Sequence, residues 1–151
     1  SSMDIYATIA ELSNFKANKH KTDGISFLAQ VYSPEAPSHR ESMYYYYNTN
    51  DLEAVRYKNW KLILPHTSRS YEGVLPGNDG IGGQYLKHEV KEMELYDLRR
   101  DPSERYNVLE QNPEILKILL GLAQEARDDL GDNLTNSEGK NRRPLGRIIV
   151  Q

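Results

Sequence analysis

One short segment concentrates side chains able to handle an anionic substrate. Residues 65–73 read Pro-His-Thr-Ser-Arg-Ser-Tyr-Glu-Gly, which brings His66, Arg69 and Tyr71 close together with little apolar content between them. Arginine presents a planar fork of donors that matches sulfate, phosphate or carboxylate. Histidine can donate to a bound anion or to a leaving group. A plain polar surface loop has the same composition, so the segment is a candidate for substrate binding (His66, Arg69, Tyr71) and no more.

Other motifs fall short of chemistry. His88-Glu89-Val90-Lys91-Glu92 nearly repeats the helical zinc-protease pattern, but Glu92 stands where the second histidine must be. The glycines between Gly77 and Gly83 lack the Gly-Lys-Ser/Thr ending of a phosphate-cradling loop, and glycine by itself only permits irregular backbone. Asn133-Leu134-Thr135 is a glycosylation triplet, which carries weight only in an exported protein. The run Tyr44 to Tyr47 could stack on sugar rings, though aromatics favour strands for packing reasons alone.

Bulk composition removes whole classes of function. The 151 residues contain no cysteine, so disulfides, a thiolate nucleophile and a cysteine-type zinc site are absent. A net charge of −3 does not fit a nucleic-acid partner, which usually meets a basic surface. No apolar run approaches the roughly 18 residues of a membrane span, and the first residues do not read as a signal peptide. Eleven tyrosines against two phenylalanines and one tryptophan suit a half-buried sheet, or a surface that meets another domain or a sugar.

The elements that must position His66 and Arg69 follow from periodicity. Residues 4–12 read as a short helix with Ile5, Ile9 and Leu12 on one face, starting so near residue 1 that it reads as continuing a longer chain. A polar, lysine-rich loop over residues 14–23 follows. Strands are expected over 42–47, 53–57, 60–64 and 94–98, with a tight turn at Lys58-Asn59 making a hairpin of the middle pair. Residues 66–92 read as one long loop, a length usually functional or disordered. Asn112, Pro113 and Glu114 mark a helix start, Gly131 a stop, and Ile115, Ile118, Leu119, Leu122 and Ala126 an apolar stripe. At roughly 28 Å this helix covers a four-stranded sheet. The expectation is a single α+β domain over 1–151: a small four-stranded antiparallel sheet packed against a long C-terminal helix, with a helix and linking loop over 1–30, sheet plus helix over 40–131, and a polar tail over 132–151 carrying Lys140, Arg142, Arg143 and Arg147 ahead of Ile148-Ile149-Val150.

Several segments together resemble the C-terminal part of the sulfatase family, of the arylsulfatase type. Met3 to Leu12 looks like the helix that ends the family's large domain, and Asp23-Gly24-Ile25-Ser26-Phe27-Leu28 like the loop after it. Arg40-Glu41 resembles the entry to the small domain. Ala54-Val55-Arg56-Tyr57-Lys58-Asn59-Trp60-Lys61-Leu62-Ile63 is close to the family's AVR-x-x-x-WKLI hairpin. Glu94-Leu95-Tyr96-Asp97-Leu98, then Asp101-Pro102-Ser103-Glu104 and Asn107-Val108, match its ELYDL-x-x-DP-x-E-x-x-N-V signature. Leu130 to Thr135 and Arg143 to Arg147 resemble its tail. The segments occur in family order along nearly the whole chain.

The resemblance implies a two-domain sulfuric ester hydrolase and is compatible with export to the periplasm or outside the cell. Its N-terminal catalytic domain carries a formylglycine, made from a Cys/Ser-x-Pro-x-Arg motif, and a calcium ion. This sequence holds no such motif and no acidic cluster that reads as the calcium site. No catalytic residue, metal ligand or cofactor is therefore assigned to it; calcium and formylglycine are expected in the catalytic domain, which is the expected partner together with a sulfated substrate such as a carbohydrate. His66, Arg69 and Tyr71 lie where related enzymes bring the small domain to the mouth of the active site. Where the catalytic domain packs, an exposed apolar or aromatic patch is expected. Two other readings stand beside this one. One is a stand-alone carbohydrate-binding or interaction module using its tyrosines. The other, a complete small hydrolase, is disfavoured because no nucleophile, base and orienter set is evident.

Overall fold

A computed structural model describes residues 1–15 and 22–143. Much of the lysine-rich loop read over 14–23, and the end of the tail with Arg147 and Ile148-Ile149-Val150, lie outside the described residues. The chain divides into two compact units, Ser1–Glu41 and Ser42–Gln151.

The first unit contains α1 (Asp4–Leu12) and α2 (Leu28–Tyr32). The α1 helix forms where its pattern indicates, but the face it buries is the polar one. Asp4, Thr8 and Ala10 are buried, while Ile5, Ile9 and Leu12 are 50–60% exposed. Hydrogen bonding explains the inversion. The Asp4 carboxylate accepts from the Ile25 amide at 2.9 Å and from the Arg40 guanidinium. Thr8 Oγ1 accepts from the Phe27 amide at 3.1 Å and donates to the Asp4 carbonyl at 2.8 Å. A buried carboxylate is tolerated only with such partners.

The second unit has the expected α+β plan. Strands β1 (Ser42–Tyr47), β2 (Asp51–Tyr57), β3 (Trp60–Ile63), β4 (His66–Ser70), β5 (Leu86–Val90) and β6 (Glu94–Asp97) precede α3 (Pro113–Leu130), β7 (Gly131–Asp132) and β8 (Ser137–Glu138). The main sheet is antiparallel in the order β1-β2-β3-β6. Lys58, with φ of 52°, makes the tight turn that sets Tyr57 opposite Trp60 and Val55 opposite Leu62. Alternation then sorts the side chains. Leu52, Val55, Leu62, Leu64 and Leu95 meet Leu119, Ala123 and Ala126 of α3 in one core, which Tyr44 and Tyr46 flank. Each fully buried leucine there contributes about 1.5–3 kcal/mol.

Four local expectations change. Residues 66–92 are not one long loop: β4 and β5 pair antiparallel, His66 opposite Val90 and Arg69 opposite Lys87, as a two-stranded arm between β3 and β6. β4 is polar on both faces, and β5 carries only Leu86 and Val90 at its two ends, which leaves no sustained apolar period to read. Asn112 stands at the start of α3, but its side-chain amide donates to the Val108 carbonyl at 2.8 Å and makes no cap. The tail is structured at its beginning. Gly131 adopts φ of 84°, and Asp132 is fully buried, accepting from the Leu52 amide at 3.2 Å, the Leu134 amide at 3.0 Å and Arg127 Nε at 3.0 Å. These bonds fasten β7 and β8 to the sheet. The α3 stripe also shifts: Ala123 is buried and Ile118 is 44% exposed, because the face is centred on Leu119, Ala123 and Ala126.

Candidate functional site

The second unit holds a cleft of about 1050 Å³. Its floor is the sheet face turned away from α3, with Tyr45, Tyr47, Ala54, Lys61 and Ile63; its wall is the β4–β5 arm, with Thr67, Arg69, Tyr85 and Lys87. His66, Arg69 and Tyr71 all line this one cleft. The tyrosine run serves two tasks: Tyr44 and Tyr46 pack on the core, and Tyr45, Tyr46 and Tyr47 line the cleft.

His66 sits at the base, where β4 leaves Pro65. Its Nδ1 lies 2.6 Å from the Leu64 carbonyl, and its Nε2 lies 3.3 Å from Glu53 Oε2. The carbonyl can only accept, so Nδ1 carries a hydrogen and the tautomer is fixed. Nε2 is then the ring nitrogen that faces the Glu53 carboxyl. Burial pushes the Glu53 carboxyl above its ordinary range, with nearby Asp51 adding to the rise and His66 opposing it.

The cations of the cleft are in two different states. Lys61 Nζ lies 2.8 Å from both carboxylate oxygens of Glu104 and over the Tyr45 ring at 5.4 Å, so its charge is matched. Arg69 lies over the Tyr85 ring, 4.8 Å from its centroid, and Tyr85 meets Tyr71 edge-on at 6.5 Å. Among the described residues, neither Arg69 nor Lys87 has a carboxylate within ion-pair distance. Aromatic faces beside unmatched cations can hold an anion-bearing ring.

The cleft does not assemble covalent chemistry. Among the described residues, no hydroxyl of the cleft is hydrogen-bonded to His66, and no three His, Asp or Glu side chains are grouped to hold a metal ion. The described residues therefore do not fit a calcium site, and with no cysteine and no Ser-x-Pro-x-Arg the chain offers no formylglycine source. The near-match at His88 lies on strand β5, not on a helix. Sequence reading missed Glu53, Tyr85 and Lys87. Lys87 becomes visible only once the arm is read as a hairpin, since its sole signal is its register opposite Arg69. No helix among the described residues is long and apolar enough to cross a membrane.

The family model for the C-terminal region of aryl-sulfatase matches residues 38–146. A solved structure described under the metabolism of multiple glycosaminoglycans by Bacteroides thetaiotaomicron (BT33336S-sulf) is similar, with 25% identity and a TM-score of 0.58. The match covers 82% of this chain and 24% of that one, so the chain spans about a quarter of that relative's length.

Proposed function

This chain belongs to the family of aryl-sulfatase C-terminal regions, and from that membership we propose that it serves as the small domain of an enzyme hydrolysing sulfate esters, where it shapes the substrate pocket and stabilises a companion catalytic domain. The observation that carries the reading is convergence. Three residues picked out by composition, His66, Arg69 and Tyr71, line one cleft, and that cleft has aromatic walls and unmatched positive charge. A sulfated carbohydrate fits both features, since a sugar ring stacks on tyrosine and a sulfate pairs with arginine. The relative described under glycosaminoglycan metabolism supports the same substrate class.

In this reading the formylglycine and calcium belong to the companion domain, and this chain contributes binding and shape. The exposed Ile5, Tyr6, Ile9 and Leu12 of α1 give that domain an apolar surface to cover. The test uses enzyme that contains both domains. Loss of a charge-assisted contact at Arg69 costs about 1.5–3 kcal/mol, so Arg69→Ala should lower kcat/KM on a sulfated sugar about ten- to a hundredfold. An unchanged kcat/KM across sulfated substrates removes Arg69 from the site. Tight binding of sulfated glycans by this chain without its companion would favour an independent carbohydrate-binding module.

A further inference from the structure

Arg69 and Lys87 stand directly opposite each other in the β4–β5 ladder. Directly opposed side chains on one face are a few ångströms apart, and like charges in that position repel. Nothing among the described residues relieves the repulsion. Glu89, the diagonal neighbour of Arg69 on β5, is opposite Thr67 and is not within ion-pair distance of either cation. The other carboxylate of the cleft, Glu53, is engaged by His66, and Lys61 is already matched by Glu104. Two adjacent cations left unmatched on the wall of a cleft are stabilised by an anion placed between them. Tyr85, the other diagonal neighbour of Arg69, lies beneath its guanidinium and holds it in place.

We propose that Arg69 and Lys87 form a subsite for an acidic group, sulfate or carboxylate, that the sugar substrate carries in addition to the sulfate ester being hydrolysed, with Tyr85 and Tyr71 beside the ring that bears it. The inference rests on the function proposed above and narrows its substrate to sugars with at least two acidic groups. The additional group follows from what the wall offers. Its side chains are donors and aromatic rings, with no nucleophile and base pair, so a group they clamp is held and not attacked by them.

Kinetics on three sulfated disaccharides that share the hydrolysed ester test the subsite. The first has no other acidic group, the second adds a uronic carboxylate, and the third adds a second sulfate. Enzyme containing this chain and its companion domain should prefer the second, the third or both, and that pattern identifies the group. Lys87→Ala should lower kcat/KM tenfold or more on the preferred substrates and less than threefold on the first. Lys87→Arg keeps the charge and should restore most of the loss. An equal loss on all three, or none, overturns the subsite while leaving the sulfatase reading in place. Absence of turnover on all three counts against that reading instead. Calorimetric titration of this chain with glucuronic acid and with inorganic sulfate then decides the subsite by itself: binding of either that Lys87→Ala weakens tenfold supports it, and binding of neither, or binding indifferent to Lys87→Ala, overturns it.

Discussion

His66 stands between two oxygens, with Nδ1 2.6 Å from the Leu64 carbonyl and Nε2 3.3 Å from Oε2 of Glu53. The raised Glu53 carboxyl means that the folded chain binds a proton at this carboxyl more tightly than the unfolded chain does. The associated stability is fully present below the unfolded carboxyl's value of about 4.3 and is lost as pH rises through the higher folded value. Glu53→Gln keeps a neutral side chain in place. It should flatten this part of the profile of melting temperature against pH, read from about pH 4 upward. An unaltered profile would show that protonation of Glu53 does not matter to folding.

Asp4 behaves in the opposite sense. Hydrogen bonding from Arg40 holds its carboxyl far below the usual carboxylate range; burial opposes this and the Ile25 amide reinforces it. The stability it contributes is present above the unfolded value of about 3.9 and is lost as pH falls further. Hydrogen exchange at the Ile25 amide should therefore speed up below about pH 4, and Asp4→Asn should produce the same loosening at neutral pH. Equal protection in the variant would remove Asp4 as the anchor of that loop.

Asp132 is the costliest polar residue to remove. It is fully buried and serves Arg127 and two backbone amides. Asp132→Ala leaves a cation and two donors unmatched, and urea unfolding should show a loss of about 3–5 kcal/mol. Asp132→Asn keeps an acceptor for the amides and should lose less. Equal losses would mean that the Arg127 charge, not the amides, dominates.

Tyr46 ties β1 to the end of α3. Its hydroxyl donates to the carbonyls of Gly131 at 2.9 Å and Ala126 at 3.2 Å, and burial, followed by the nearby Asp132 charge, pushes it up to about 12. Tyr46→Phe should cost about 0.5–1.5 kcal/mol. It should also delete the latest-titrating tyrosine signal in an alkaline ultraviolet titration that Tyr96, likewise near 12, shares.

The legible parts of the fold are those where burial imposes a period. β2 and β3 bury Leu52, Val55 and Leu62 against α3, and their hairpin follows from Lys58-Asn59. The arm does not bury an apolar face, so His66–Ser70 and Leu86–Val90 carried no such trace. For the same reason the site was half legible. His66, Arg69 and Tyr71 are neighbours in sequence, whereas Glu53 and Lys87 reach the cleft only through strand pairing. Asp132 looked like tail because its burial depends on donors from β2 and α3.

The arm is spliced between two strands, β3 and β6, that remain hydrogen-bonded neighbours in the main sheet. Its length and tip can consequently vary through insertion or deletion without breaking a rung of that sheet. Loop closure charges little for such changes, about 0.6 kcal/mol for each doubling of length. Descendants of this chain have a cheap route to new ligand preferences: they can rewrite the wall of the cleft while inheriting its floor.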